Sequence, residues 1–198
     1  MALNFCNNNS LSAITSLPAS ISGGGLNLIS TQTASSSSTI DFTSGIDSTY
    51  KEYIFKYINI HPASAEHFTF QGSTDGGSSY GVTLTSTYFH AKHDEGDSST
   101  SLAYVTGKDL AQSTSYLRLA DSLSTSADES TSGTLHLFNP SDTTFVKHFI
   151  SRSSVSNTEA KDGFVAGYFN TTSAIDAIQF KMSSGNIDSG VIKLYGVS

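Results

Sequence analysis

Most devices that staple or charge a small protein are scarce here. The 198-residue chain has one cysteine, Cys6, three prolines and no tryptophan. A single thiol excludes an intramolecular disulfide framework and leaves the redox compartment open. Charged side chains make up 14% of the sequence, against about 25% in an ordinary globular domain. The formal net charge is −7, and the ten lysines and arginines stand singly rather than in runs. With no basic run or stripe, the sequence offers no electrostatic footprint for nucleic acid. Apolar runs are only a few residues long, too short for membrane insertion. The N-terminal "MALNFCNNNSLSAITSLPAS" has neither a positive start nor an unbroken apolar stretch, which argues against a signal peptide.

What is present points to strands and turns. Serine and threonine number 37 and 22, so hydroxyls occupy 59 of 198 positions, beside 16 glycines and 21 tyrosines and phenylalanines. Hydroxyls keep a sheet face wet without charge, and Thr and Tyr suit a pleated surface. The length fits one domain, or one domain with an arm, and supports a core without staples.

The chain divides at a glycine joint. Residues 1–25 hold a polar Asn7–Ser10 cluster, then Leu11, Ile14, Leu17 and Ile21, and end in Gly23-Gly24-Gly25. That spacing fits either a short amphipathic helix or an extended arm. Read as a docking element, it precedes a domain of residues 26–198 in which apolar and polar residues alternate. Period two predicts strands over residues 26–33, 38–43, 50–60, 67–71, 82–90, 116–122, 133–138, 144–152, 163–170, 177–182 and 191–197. Within 50–60, Tyr53, Phe55 and Tyr57 share one face, and Ile54, Lys56, Ile58 and Ile60 the other. Pro62 and Pro140 fall at strand ends and Pro18 in the arm, so no proline interrupts a ladder. The fold class expected is all-β: a two-sheet antiparallel β-sandwich of jelly-roll type, with an N-terminal arm. Residues 95–113 lack periodicity and read as a long exposed loop, a common place for partner contacts.

Few motifs carry chemistry. Gly77-Ser78-Ser79-Tyr80-Gly81 matches the G-x-S-x-G string, but a nucleophile elbow needs a helix after it and a strand is predicted instead. The same place reads better as an Asp-box-like hairpin turn built on Ser73, Asp75, Gly76, Gly77 and Tyr80. There the carboxylate accepts backbone N–H bonds and the glycines take positive φ. "FHAKHDEGD", residues 89–97, is the ligand-rich stretch, yet His90 and His93 would point to opposite faces of a strand. The plain reading is an acidic exposed loop. The acids Asp47, Asp75, Asp128, Asp142 and Asp188 all sit in presumed turns, where Asp bonds locally. Asn8-Asn9-Ser10 and Asn170-Thr171-Thr172 match sequons, which matter only in a eukaryotic secretory route. No catalytic residue, metal ligand or cofactor is assigned. At the other end, Gly185, Asn186, Gly190, Leu194 and Tyr195 read as a closing hairpin, with residues 191–197 returning beside 177–182 and Ile192 and Leu194 buried.

Four stretches carry a resemblance: "ASSSSTIDFTSGIDSTYKEYIFKYINIHPA", "STDGGSSY", "GTLHLFNPSDTTFVKHFIS" and "NTTSAIDAIQFKMSSGNIDSGVIKLYGVS". In this order they resemble virion structural proteins of tailed bacteriophages, marine ones especially, over residues 34–198, with the weakest match at 91–130. The resemblance implies a non-enzymatic β-sandwich displayed on a particle, as a capsid decoration, fibre or tail component, with no catalytic residues to carry over. It implies localisation on the virion after assembly in a host cytoplasm. Its expected partners are other virion proteins and further copies of itself. The alternative is a carbohydrate-binding module for a host surface glycan, for which Tyr53, Tyr57, Tyr88, Tyr168 and Tyr195 are the stacking candidates. A depolymerase would need a carboxylate pair that the sequence does not single out.

Overall fold

The computed structural model describes residues 25–198. The expected arm therefore lies outside the described residues, apart from Gly25. Twelve strands follow in chain order: β1 (Leu26–Ser37), β2 (Ile40–Phe42), β3 (Glu52–Pro62), β4 (Phe68–Ser73), β5 (Leu84–Asp94) and β6 (Thr100–Tyr104). They continue with β7 (Leu117–Ala120), β8 (Thr131–Phe138), β9 (Lys147–Ser156), β10 (Glu159–Phe169), β11 (Ala177–Met182) and β12 (Ile187–Val197). Eight form one sheet, in the order β1-β12-β3-β8-β9-β10-β5-β6, and four form the other, β2-β11-β4-β7. Every strand pair is antiparallel. The expected all-β, two-sheet antiparallel sandwich is the fold observed.

Aromatic rings fill the space between the sheets. Phe42 meets Phe55 edge-on at 5.3 Å, Phe55 meets Phe180 at 5.3 Å, and Phe68 stacks on Phe180 at 5.6 Å. Phe70 reaches across to Phe149 at 5.2 Å. These pairs join β2, β4 and β11 to β3 and β9. Each adds about 0.5–1.5 kcal/mol beyond the area it buries.

Three expectations need correction. In β3, Tyr53, Phe55 and Tyr57 share one face as expected, and that face is buried, but Ile60, expected on the opposite face, is also fully buried. The ladder with β8 shifts register between Tyr57 and Ile60, and Asn59 takes φ +50. One extra residue in the strand thus turns Ile60 back to the core. Gly190 on β12 accommodates this bulge: a Cβ there would sit 2.8 Å from the Asn59 carbonyl oxygen, and its φ is +128.

The second correction concerns the two expected hairpins. β4 and β5 belong to different sheets, and so do β11 and β12. The turns at Ser73–Tyr80 and at Gly185–Asn186 therefore carry the chain from sheet to sheet. Consecutive strands pair only at β5–β6, β8–β9 and β9–β10. β12 instead lies between β1 and β3, with Ile192 and Leu194 in the core as expected.

Thirdly, the stretch read as a loop over 95–113 contains β6, which pairs with β5 from Phe89↔Tyr104 to His93↔Thr100. Leu102 and Tyr104 on this edge strand are largely exposed. Its sequence, TSLAY, is too short to show a period clearly. The remainder, residues 105–113, runs back along β5 through Val105 N–H to Tyr88 O, and through reciprocal bonds between Leu84 and Ser113.

Candidate functional site

The Ser73–Tyr80 turn is built by its own side chains. Ser73 Oγ accepts the N–H groups of Asp75 (3.1 Å) and Gly77 (3.0 Å) and donates to Asp75 Oδ1 at 2.6 Å. Asp75 also accepts Ser79 N–H at 2.9 Å and the Ser79 hydroxyl at 2.5 Å. Gly76 and Gly77 have φ of +71 and +85. The hydroxyls of Ser73 and Ser79 hold the Asp75 carboxyl down at about 2. Tyr80 packs against the turn, and a Cβ at Gly77 would lie 2.8 Å from its hydroxyl. Burial, reinforced by the Asp41 charge, raises the pKa of that phenol. Ser79, the serine of the G-x-S-x-G string, is thus engaged by Asp75, and β5 follows it rather than a helix. The turn is also tied across the fold, since Gly76 N–H donates to Asp176 Oδ1 at 3.0 Å.

Other acids do the same work. Asp47 accepts Thr49 N–H (2.8 Å), and Asp142 accepts Thr144 N–H (2.6 Å) and Phe145 N–H (2.8 Å). In the β5–β6 turn Asp94 accepts Ser98 N–H (3.0 Å) and Ser99 N–H (2.5 Å). All three carboxyls titrate below the usual range, Asp47 and Asp94 chiefly through the hydroxyls of Thr49 and Ser98 with help from these N–H bonds, and Asp142 through the N–H bonds of Phe145 and Thr144. His90 points inward and His93 outward, where its Nε2 lies 3.0 Å from Asp97 Oδ1. Among the described residues no three His, Cys, Asp or Glu side chains gather as a metal site. At the other end, Asn186 Nδ2 donates to Ser36 O at 2.8 Å, Gly185 has φ +72, Leu194 is buried, and Tyr195 lies beneath Lys56 Nζ at 5.4 Å.

Among the described residues, the outer face of the eight-stranded sheet presents a broad exposed surface. Tyr53, Tyr57 and Tyr88 are fully buried in the core, which removes them as stacking residues. In β9 every second residue faces out, so His148, Ile150 and Arg152 are exposed. Cross-strand register places Arg152 beside Phe164, Phe164 beside Phe89, and Phe89 beside Tyr104. The Phe89 and Phe164 rings stack at 4.7 Å, 3° from parallel, and the Arg152 guanidinium lies 5.0 Å from the Phe164 centroid. Arg152 is held there by a two-pronged bond to Asp162, Nε–Oδ1 2.9 Å and Nη2–Oδ2 2.5 Å. Both faces of Phe164 are therefore covered, and the row forms a ridge. Open grooves flank it: one of about 600 Å³ over Ala91, Ser154 and Asp162, and one of about 480 Å³ over Thr87, Ile150, Ala166 and Tyr168. Sequence reasoning missed Phe89 and Phe164, although strict alternation with buried Tyr88 and Val165 placed both outside.

A scan of protein-family models and a search of curated proteins each return no match to the chain.

Proposed function

We propose that this chain is a non-enzymatic structural protein of a phage particle. In this reading residues 1–25 dock it to other virion proteins, and the sandwich is displayed outward as a capsid-decoration or fibre- or tail-associated component. The observation that carries the reading is the strand order. β1-β12-β3-β8 lie side by side opposite β2-β11-β4-β7, and the chain crosses between sheets at each step from β1 to β4. That interleaving supports a jelly roll, an architecture that recurs in viral capsid and lectin domains. In it, β5–β6 and β9–β10 extend one sheet sideways. The engagement of Ser79, Asp47, Asp75, Asp94 and Asp142 in their own turns also favours scaffold over catalyst.

The test is recovery of the protein from purified particles of the phage that encodes it, with its copy number, for the full chain and for one lacking residues 1–25. Stoichiometric incorporation of the first and loss of the second is expected. Normal incorporation of the shortened chain overturns the docking role, and absence of the full chain from particles overturns the whole reading.

The second reading, recognition of a host surface glycan, finds its best surface in the groove beside Tyr168, because the ring faces of Phe164 are already occupied. Saturable binding on a glycan array, abolished by Tyr168→Ala, is its expected result.

A further inference from the structure

The ten basic residues stand apart in the sequence, yet four of them converge inside the fold. Lys92 lies on β5 directly opposite Lys161 on β10, Lys108 comes from the segment after β6, and Arg118 comes from β7. Between them stand two carboxylates. Asp121 takes Lys108 and Arg118 Nη1 (3.5 Å), with Lys161 at 3.9 Å and His67 Nδ1 at 3.2 Å. Glu159 bridges Lys161 (2.8 Å) and Lys92 (3.1 Å). Four cations face two anions, leaving two positive charges in excess within a chain whose net charge is −7.

Two features set this cluster apart from a neutralised ion-pair network. Lys92 and Lys161 face each other directly across paired strands, where like charges repel, and the single Glu159 carboxylate between them offsets one of the two charges, with Lys161 only 5% exposed to water. Moreover, two buried polar atoms here lack a hydrogen-bond partner: Tyr88 Oη, on a fully buried residue, and His90 Nδ1, on a residue 8% exposed. Lys108 Nζ lies 5.5 Å over the Tyr88 ring, and Lys108, Lys161, Asp121 and Lys92 are the charges that act on His90. A buried polar group without a partner costs about 1–3 kcal/mol. The Tyr88 hydroxyl can donate, as can His90 Nδ1 in the tautomer that carries its proton there, and beside excess positive charge both are open to an acceptor.

We propose that this cluster binds an oxyanion, the sulfate, phosphate or carboxylate group of a small ligand, with His90, Lys92, Lys108 and Lys161 as its contacts. An oxyanion supplies both what the cluster lacks, negative charge and hydrogen-bond acceptors. Burial together with Lys108 and Lys161 keeps the pKa of His90 below its ordinary value, so a bound anion reverses part of that shift and reports on itself. The site is independent of the proposed function and is compatible with either reading of it.

The experiment follows the histidine ring signals of the labelled full chain by NMR while inorganic sulfate replaces chloride at constant ionic strength. A saturable shift of His90, a rise in its titration midpoint, and affinity weakened about tenfold or more in Lys92→Met and in Lys108→Met are expected. Lys193→Met, on a strand away from the cluster, should leave the affinity unchanged. Lys92 is one-third exposed, so its variant keeps the test sound even if Lys108→Met, which strips Asp121 of a partner, fails to fold. A second arm compares glucose 6-sulfate with glucose. Binding of the sulfated sugar assigns the oxyanion to a saccharide, whereas binding of inorganic sulfate alone assigns a free ion. A His90 response that is linear in sulfate, or equal in wild type and Lys92→Met, overturns the proposal.

Discussion

Single residues in this protein are specialised for turns. Asp75 is the clearest case, because two hydroxyls and a backbone N–H all favour its charged form. Its carboxyl is depressed from 3.8 to about 2 in the folded chain, so the stability it contributes is complete above the unfolded value and is lost as pH falls through about 2. Asp75→Asn should therefore flatten the acid limb of the stability curve between those values, measured by denaturant unfolding at successive pH. An unchanged limb would mean that the turn bonds are not felt by the fold. Glycine positions separate by space as well as by φ. Gly76→Ala meets open space and carries only its φ of +71, at a cost of about 1–2 kcal/mol. Gly190→Ala adds a collision with the Asn59 carbonyl oxygen and the Ile60 Cα at 2.9 Å, so its loss in thermal unfolding should be clearly the larger of the two. Equal losses would show that the β3 bulge yields to the new methyl group.

At the level of elements, faces were legible and neighbours were not. Period two sorted the residues of β3, β5 and β11 into two faces because side chains in a strand must alternate. It failed at Ile60, where one inserted residue reset the phase, a local event that composition does not announce. β6 was missed because five residues are too few to show alternation above the noise of a Ser- and Thr-rich segment. β11 illustrates how a strand earns its place through one ring: Phe180 contacts Phe42, Phe55 and Phe68 on three different strands. Phe180→Ala should cost about 3–5 kcal/mol, and a loss below about 1 kcal/mol in chemical denaturation would place the core elsewhere.

Across the whole molecule, the ends of the described chain meet. β1 pairs with β12 from Leu26↔Val197 to Ser37↔Ile187, and β12 pairs in turn with β3. Such distant pairing must be closed before it stabilises anything, so folding is expected on the slow side of the range for domains of this size. Ending the chain at residue 186 removes the strand between β1 and β3 and exposes an edge of β3 with no cover. The shortened chain should lose its cooperative thermal transition, and retention of a sharp transition would mean that β3–β8 and the β9–β10 extension fold without it.

Sequence alone determined the strand-and-turn character, the low content of charged residues, the alternating core and the carboxylates that close their own turns. Each of these is local: alternation, hydroxyl content and an Asp two to five residues from its N–H donors are set within one segment. Only the tertiary structure decided which sheet each strand joins, where Ile60 points, that the two expected hairpins are crossings, and that four scattered cations share one buried cluster. Those outcomes depend on contacts between residues tens to more than a hundred positions apart. Pairing at such range is chosen by how whole faces pack, a property that no stretch of sequence holds by itself.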